Sequence, residues 1–228
     1  MPPDRDAFGS YYVKDLESAM RRETLLFTRH LLAENRPITD FLDADYAFLN
    51  KPLAVHYGVP AKFDPETAHQ FRKVNLADRR RGGLLGMGSV LTVTANGIET
   101  SPITRGVWLL ENILGTPPPP PPDDVPLIEP DIRGTTTIRD QLTKHRESPT
   151  CYECHLKIDP PGFALENYDP IGGWRTHYPK GRSKGPKIDA SGELSTGERF
   201  GDVVSFKKLL LARRELFARM LTERLLSY

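Results

Sequence analysis

Three observations predict a mainly α fold. Apolar residues recur at helical spacing from Leu16 to Leu32, from Ser101 to Gly115 and from Val204 to Tyr228. Residues that start and stop helices frame several of these stretches, and alternation of the strand type is confined to short runs. A run of six prolines, Pro117 to Pro122, cannot enter a helix and divides the pattern in two. The predicted architecture is therefore a helical N-terminal region packed against a helical C-terminal one, joined by a proline-rich strap.

Taken in order, "LESAMRRETLLFTRHLL" sets Leu16, Met20, Leu25 or Leu26 and Leu32 on one side of an amphipathic helix. A second helix is predicted from Ile38 to Tyr57, with Asp40 and Asp43 near its start, Gly58 and Pro60 beyond its end, and a kink at Pro52. "FRKVNL" reads as a short strand, and "RRRGGLLGMGSVLTVTANG" as a helix whose start is frayed by glycines. In "TSPITRGVWLLENILG", Ser101 can cap, Pro102 suits the first helical position, and Gly115 stops a face made by Val107, Leu110, Ile113 and Leu114. "TTTIRDQLTKHRESP" leads as a helix into the only two cysteines. A polar loop with a small hairpin at Lys187 to Leu194 follows, and the last stretch puts Phe206, Leu209, Leu210, Phe217, Met220, Leu221 and Leu225 on one broad stripe.

Bulk properties exclude more than they assign. Lys and Arg number 31 against 30 Asp and Glu, a net charge of +1 that exerts no global pull on nucleic acid or anionic lipid. No run approaches a membrane span, and the first residues lack the apolar core of a signal peptide, so taken literally the chain is cytosolic. Both ends, however, interrupt helical patterns, as in a fragment. The chain contains no Ser-His-Asp set, P-loop, HExxH or paired-carboxylate motif that would point to hydrolysis.

Two cysteines are too few for a disulfide framework, so Cys151-Tyr-Glu-Cys154-His155 has a local purpose. Four explanations compete. A c-type haem takes two thioether bonds from cysteine and an imidazole on iron; on one helical turn Cys151 and Cys154 project from the same side, with His155 beneath the ring. Zinc needs a closed set of four ligands, and only His145 or His177 stand by to complete it. A redox dithiol wants a strand followed by a helix N-terminus, whereas the preceding segment here is helix-like and "ESPT" is a turn. Coincidence is the fourth. Haem is favoured, and "KIDPPG" supports it: a Pro-Pro turn could return a carbonyl of Asp159, Pro160 or Pro161 to the second nitrogen of His155. Phe163, Leu165 and Tyr168 would supply an apolar wall.

Four blocks in order, "FLDADYAFLNKPLAVHYGVP", "RRGGLLGMGSVLTVTANGIETSPITRGVWLLENILGTPPPPPP", "IRDQLTKHRESPTCYECHLKIDPPGFALENYDPIGGWR" and "IDASGEL", resemble the planctomycete-type cytochrome c family. Its members are large secreted bacterial proteins built from domains of unknown function around CxxCH motifs. The resemblance spans nearly the whole chain and implies haem c, with Cys151 and Cys154 as thioether donors and His155 as proximal iron ligand. It also implies a cytochrome c-like haem domain and a periplasmic or extracellular location, which replaces the cytosolic reading. On this view residues 1–115 hold the end of an upstream domain and the start of the haem domain, 116–131 the strap, and 132–228 the CxxCH region. Missing modules would bring a redox partner, a neighbouring haem domain or polysaccharide. "TSPITRG" further resembles a Thr-Pro-x-x-Arg stretch of dihaem peroxidases, which makes Arg105 a candidate partner of a haem propionate; Arg175 is another, and Trp174 beside it is a candidate haem contact.

The sixth iron ligand separates the activities. Electron-transfer haems close both axial positions and peroxidases leave one open. Met87, set among glycines in "LLGMGS", is the candidate distal ligand. Met220 lies on an apolar helical stripe, His177 in a polar turn, and His145 close before the motif. The expected function is an electron-transfer module of a larger secreted oxidoreductase. The alternatives are a peroxidase- or oxidase-like haem enzyme, or a binding module in which haem or zinc is structural.

Overall fold

A computed structural model describes residues 1–120, 137–145, 149–180 and 183–227. The chain is mainly α, with 50% of it helical and only two-stranded sheets among the described residues. The far end of the proline run, Pro121 and Pro122, and most of the predicted strap lie outside the described residues.

A short helix α1, Gly9–Val13, precedes α2, Leu16–Ala33, the predicted amphipathic helix. Its buried face is Leu16, Met20, Glu23, Phe27 and Leu31, whereas Leu25 and Leu32 are 59% and 79% exposed. Steps of three and four residues from Leu16 lead through Phe27 to Leu31, which turns Leu25 and Leu32 away from the core.

The predicted helix from Ile38 to Tyr57 is corrected. A 3-10 turn, Ile38–Phe41, gives way to strand β1, Tyr46–Leu49, and then to helix α3, Lys51–Tyr57. Pro52 starts this last helix and does not kink a longer one, because Asn50 accepts the Leu53 N–H at 3.1 Å and caps it. Gly58 ends it at φ 67°, as its position suggested. β1 pairs antiparallel with β2, Arg72–Asn75, Tyr46 opposite Asn75. That pairing, out of sight in either segment alone, overrides the helical pattern.

Helix α4, Gly88–Val93, follows a 3-10 turn at Leu84–Gly86. Helix α5, Pro102–Leu109, begins at the Ser101 cap, which accepts from Thr104 N at 3.2 Å, and continues as a π-turn over Leu110–Leu114 until Gly115 reverses the chain at φ 64°. Helix α6, Ile138–His145, leads towards α7, Pro149–Phe163. The predicted hairpin is replaced by two: β3, His177–Lys180, with β4, Ser183–Lys187, and β5, Gly192–Glu193, with β6, Arg199–Phe200. Between them Asp189 closes a turn onto Ser191, and Arg139 donates to the carbonyls of both. The last stripe forms α8, Val203–Ala212, and α9, Arg214–Leu226, broken at Arg213.

The main core takes Leu42, Leu85 and Leu109 from before the proline run and Leu165, Phe206 and Met220 from after it. Its centre is the crossing of α5 with α7. Gly106 lies against the Ile158 carbonyl and Gly162 against the Pro102 carbonyl, so close that a Cβ at either would overlap the oxygen. Lys207 ties α8 to the preceding half: its buried Nζ donates to the carbonyls of Arg79 and Arg80 at 2.9 Å each and to that of Gly82.

A buried carboxylate sits in the N-terminal half. Glu23 accepts from Tyr57 Oη at 2.6 Å, Tyr57 in turn accepts from Gly88 N at 2.6 Å, and the Arg81 guanidinium lies 4.2 Å over the Tyr57 ring. Burial pushes the Glu23 carboxyl up to about 8 against the opposing pull of Tyr57 and Arg81. A carboxyl raised on folding stabilises the fold fully below its unfolded value and loses that contribution as pH rises through about 8. Stability measured by urea titration should therefore fall between about pH 5 and 8, and Glu23→Gln should flatten that slope. An identical slope in the variant would show that Glu23 ionises normally.

Candidate functional site

Helix α7 carries Cys151, Cys154 and His155 at i, i+3 and i+4, and so on one side of a single turn. Both cysteines are free thiols, partly exposed, and Cys154 packs against the main core. The described element that precedes α7 in the chain is helix α6 and not a strand.

The expected Pro-Pro turn is corrected: α7 continues through Pro160 and Pro161 to Phe163. The carbonyls deprived of partners by the two prolines are those of Leu156 and Lys157, both exposed, so water can serve them. Because the backbone stays helical, the carbonyls beyond His155 point along the axis and cannot turn back to the ring. The side chain one turn on does so: Asp159 Oδ1 lies 2.8 Å from His155 Nδ1. Asp159 is fully buried, and the His155 side chain is 12% exposed. An anion on Nδ1 favours the tautomer with its proton there and assigns any metal bond to Nε2.

The other residues singled out in the sequence lie elsewhere. Arg105 is fully buried; Nη1 donates to the Leu165 and Tyr168 carbonyls at 2.8 and 2.9 Å, and Nη2 to that of Asp169 at 3.2 Å. Burial lowers its guanidinium to about 10 while Glu166 opposes the shift. Arg175 donates to Glu166 Oε1 at 2.7 Å and to Thr100 Oγ1 at 2.8 Å. The two arginines thus share one buried carboxylate, and burial raises Glu166 above the usual carboxylate range despite them. Trp174 meets the Tyr168 ring edge-on at 5.1 Å, with the Arg80 guanidinium 4.3 Å over its face. Trp174, Arg175 and His177 line a cavity of about 700 Å³ whose lining includes neither cysteine nor His155.

Met87 is buried among Phe27, Leu31, Tyr46 and Val90, and its Sδ accepts from Thr24 Oγ1 at 3.6 Å. Met220 is buried in the main core beside Gly115. The His145 side chain lies outside the described residues. A second cavity, of about 560 Å³, reaches Cys154 and is bounded by Leu110, Leu114, Pro118 and Leu216, with Lys157 and Arg213 among its lining residues. Cys151 and His155 are not part of its wall.

Sequence reasoning named Asp159 for its carbonyl and missed its carboxylate, and it missed Glu166 altogether. The first carried a usable signal, an acid four residues after a histidine on a helix. Glu166 had none, since its partners Thr100, Arg105 and Arg175 converge only through the fold.

Residues 81–178 match the model of PSCyt3, a protein of unknown function (DUF1588), and residues 1–59 match that of PSD4, a protein of unknown function (DUF1592). Both are domains of unknown function found in planctomycete-type cytochrome c proteins. The first match takes in α4, α5 and all of α7 with its cysteines. No curated protein matches the chain, and no solved structure does. Among the described residues no group of three or more His, Cys, Asp or Glu gathers to hold a metal ion, as a closed zinc site would require. No described helix is long and apolar enough to cross a membrane.

Proposed function

We propose that this chain is a c-type cytochrome module that binds one haem, with Cys151 and Cys154 as thioether donors and His155 as the proximal ligand. The observation that carries the proposal is the placement of all three on one side of α7 with the His155 ring already held through Nδ1. The donor set fits the group. Cys151 and Cys154 would each hold the group through a thioether, a thiol-to-vinyl addition that would need no oxidant. Haem, once bound, supplies a one-electron iron couple. The chain's own part is to fix both sulfurs, orient the imidazole and present apolar packing around Cys154.

The module would pass electrons within a larger oxidoreductase, in the periplasm or outside the cell, to a partner protein or a neighbouring haem domain. This reading draws on the occurrence of both matched domains in cytochrome c proteins. A second reading, a peroxidase- or oxidase-like enzyme with an open axial position, draws on the methionines: Met87 and Met220 are both committed to packing.

Expression in a periplasm equipped for cytochrome c maturation should give an intact mass raised by one haem that survives acid denaturation. The mass of the bare chain, or bound zinc in its place, would overturn the proposal. Carbon monoxide then separates the two readings: rapid binding by the reduced protein points to the open site, and its absence to electron transfer.

A further inference from the structure

The carboxylate beside His155 has a consequence for the iron couple. Asp159 stands one turn after His155 on the same side of α7, with Oδ1 at 2.8 Å from Nδ1, and is fully buried. We infer that Asp159 is a positioning residue that holds the haem at a lowered reduction potential, an inference that rests on the haem reading above.

The physical chain is short. An Nδ1–H shared with a carboxylate makes the imidazole a stronger donor through Nε2 than one bonded to a neutral carbonyl. Stronger donation, together with a negative charge one ring away in a low-dielectric surrounding, favours the more positive, oxidised iron. The helix enforces this arrangement. Its continuation through Pro160 and Pro161 keeps backbone carbonyls from the ring and leaves the i+4 side chain to make the contact. Asparagine keeps the size and an acceptor oxygen but removes the charge, whereas glutamate keeps the charge on a longer stem.

The test uses the haem-loaded chain, its loading verified by mass, and reads the midpoint potential by spectroelectrochemical titration. Asp159→Asn should shift the oxidised-to-reduced equilibrium about tenfold towards reduced, which is about 59 mV upward for a one-electron couple. Asp159→Glu should stay nearer the parent. A loaded Asp159→Asn protein with the parent's potential overturns the inference and leaves the haem reading standing. A parent chain that never acquires haem removes both. If Asp159→Asn does not fold, ¹⁵N chemical shifts of the His155 ring in the unsubstituted protein decide. An Nδ1 resonance displaced towards imidazolate relative to a haem histidine bonded to a neutral carbonyl supports the inference, and one that coincides with it overturns it.

Discussion

Gly162→Val and Gly106→Val should each destabilise the chain by about 3 kcal/mol or more, the upper range for forcing atoms into a packed core. A domain with about 5–15 kcal/mol in total then keeps little margin. At both positions the new side chain meets backbone and not a movable group: the Pro102 carbonyl faces Gly162, and the Ile158 carbonyl faces Gly106. Relief would require α5 and α7 to separate, and these helices bring the core residues Leu109 and Ile158 together. Gly201→Ala serves as the control, since a Cβ there meets nothing within 4 Å, and it should change stability by less than about 0.5 kcal/mol. Urea midpoints of the haem-free proteins check the prediction. Midpoints for the two valine variants that match the control would mean that the helices cross farther apart than described.

The second large effect is expected at His155. His155→Ala removes the imidazole that both haem readings place on iron, so periplasmic maturation should fall to a small fraction, and any haem that remains should have a strongly altered Soret band. Replacing Cys151 and Cys154 together by alanine should leave the mass of the bare chain. The two lesions differ in kind, because one removes the ligand and the other the tether. Spectra of His155→Ala that coincide with the parent's would show that the histidine is not a ligand, and the cytochrome reading would fall with it.

Gly162 illustrates how a residue's meaning shifts between sequence and structure. In "DPPG" it reads as the flexible end of a turn that steers His155. In the fold it is a helical residue whose missing side chain admits the backbone of α5. A substitution at Gly162 is therefore expected to damage packing first, and the side chain that meets the His155 ring is that of Asp159.

Local patterns with local causes were legible in the sequence alone. The extent of α2 follows from its periodicity, the start of α5 from Ser101 and Pro102, and the end of α3 from Gly58. The same holds for the spacing of Cys151, Cys154 and His155, since one turn of helix puts i, i+3 and i+4 on one side whatever surrounds it. Tertiary structure decided what depends on partners distant along the chain. Tyr46–Leu49 is a strand because Arg72–Asn75 pairs with it, Arg105 is buried because the carbonyls of 165, 168 and 169 collect around it, and Glu166 stays between Arg105 and Arg175. Propensities of a few tenths of a kcal/mol per residue cannot resist such contacts. α7 runs on through two prolines that the sequence marks as a turn, against a cost of about 3 kcal/mol for each in a helix interior, because Gly162 and Phe163 beyond them are held by the α5 crossing and the core.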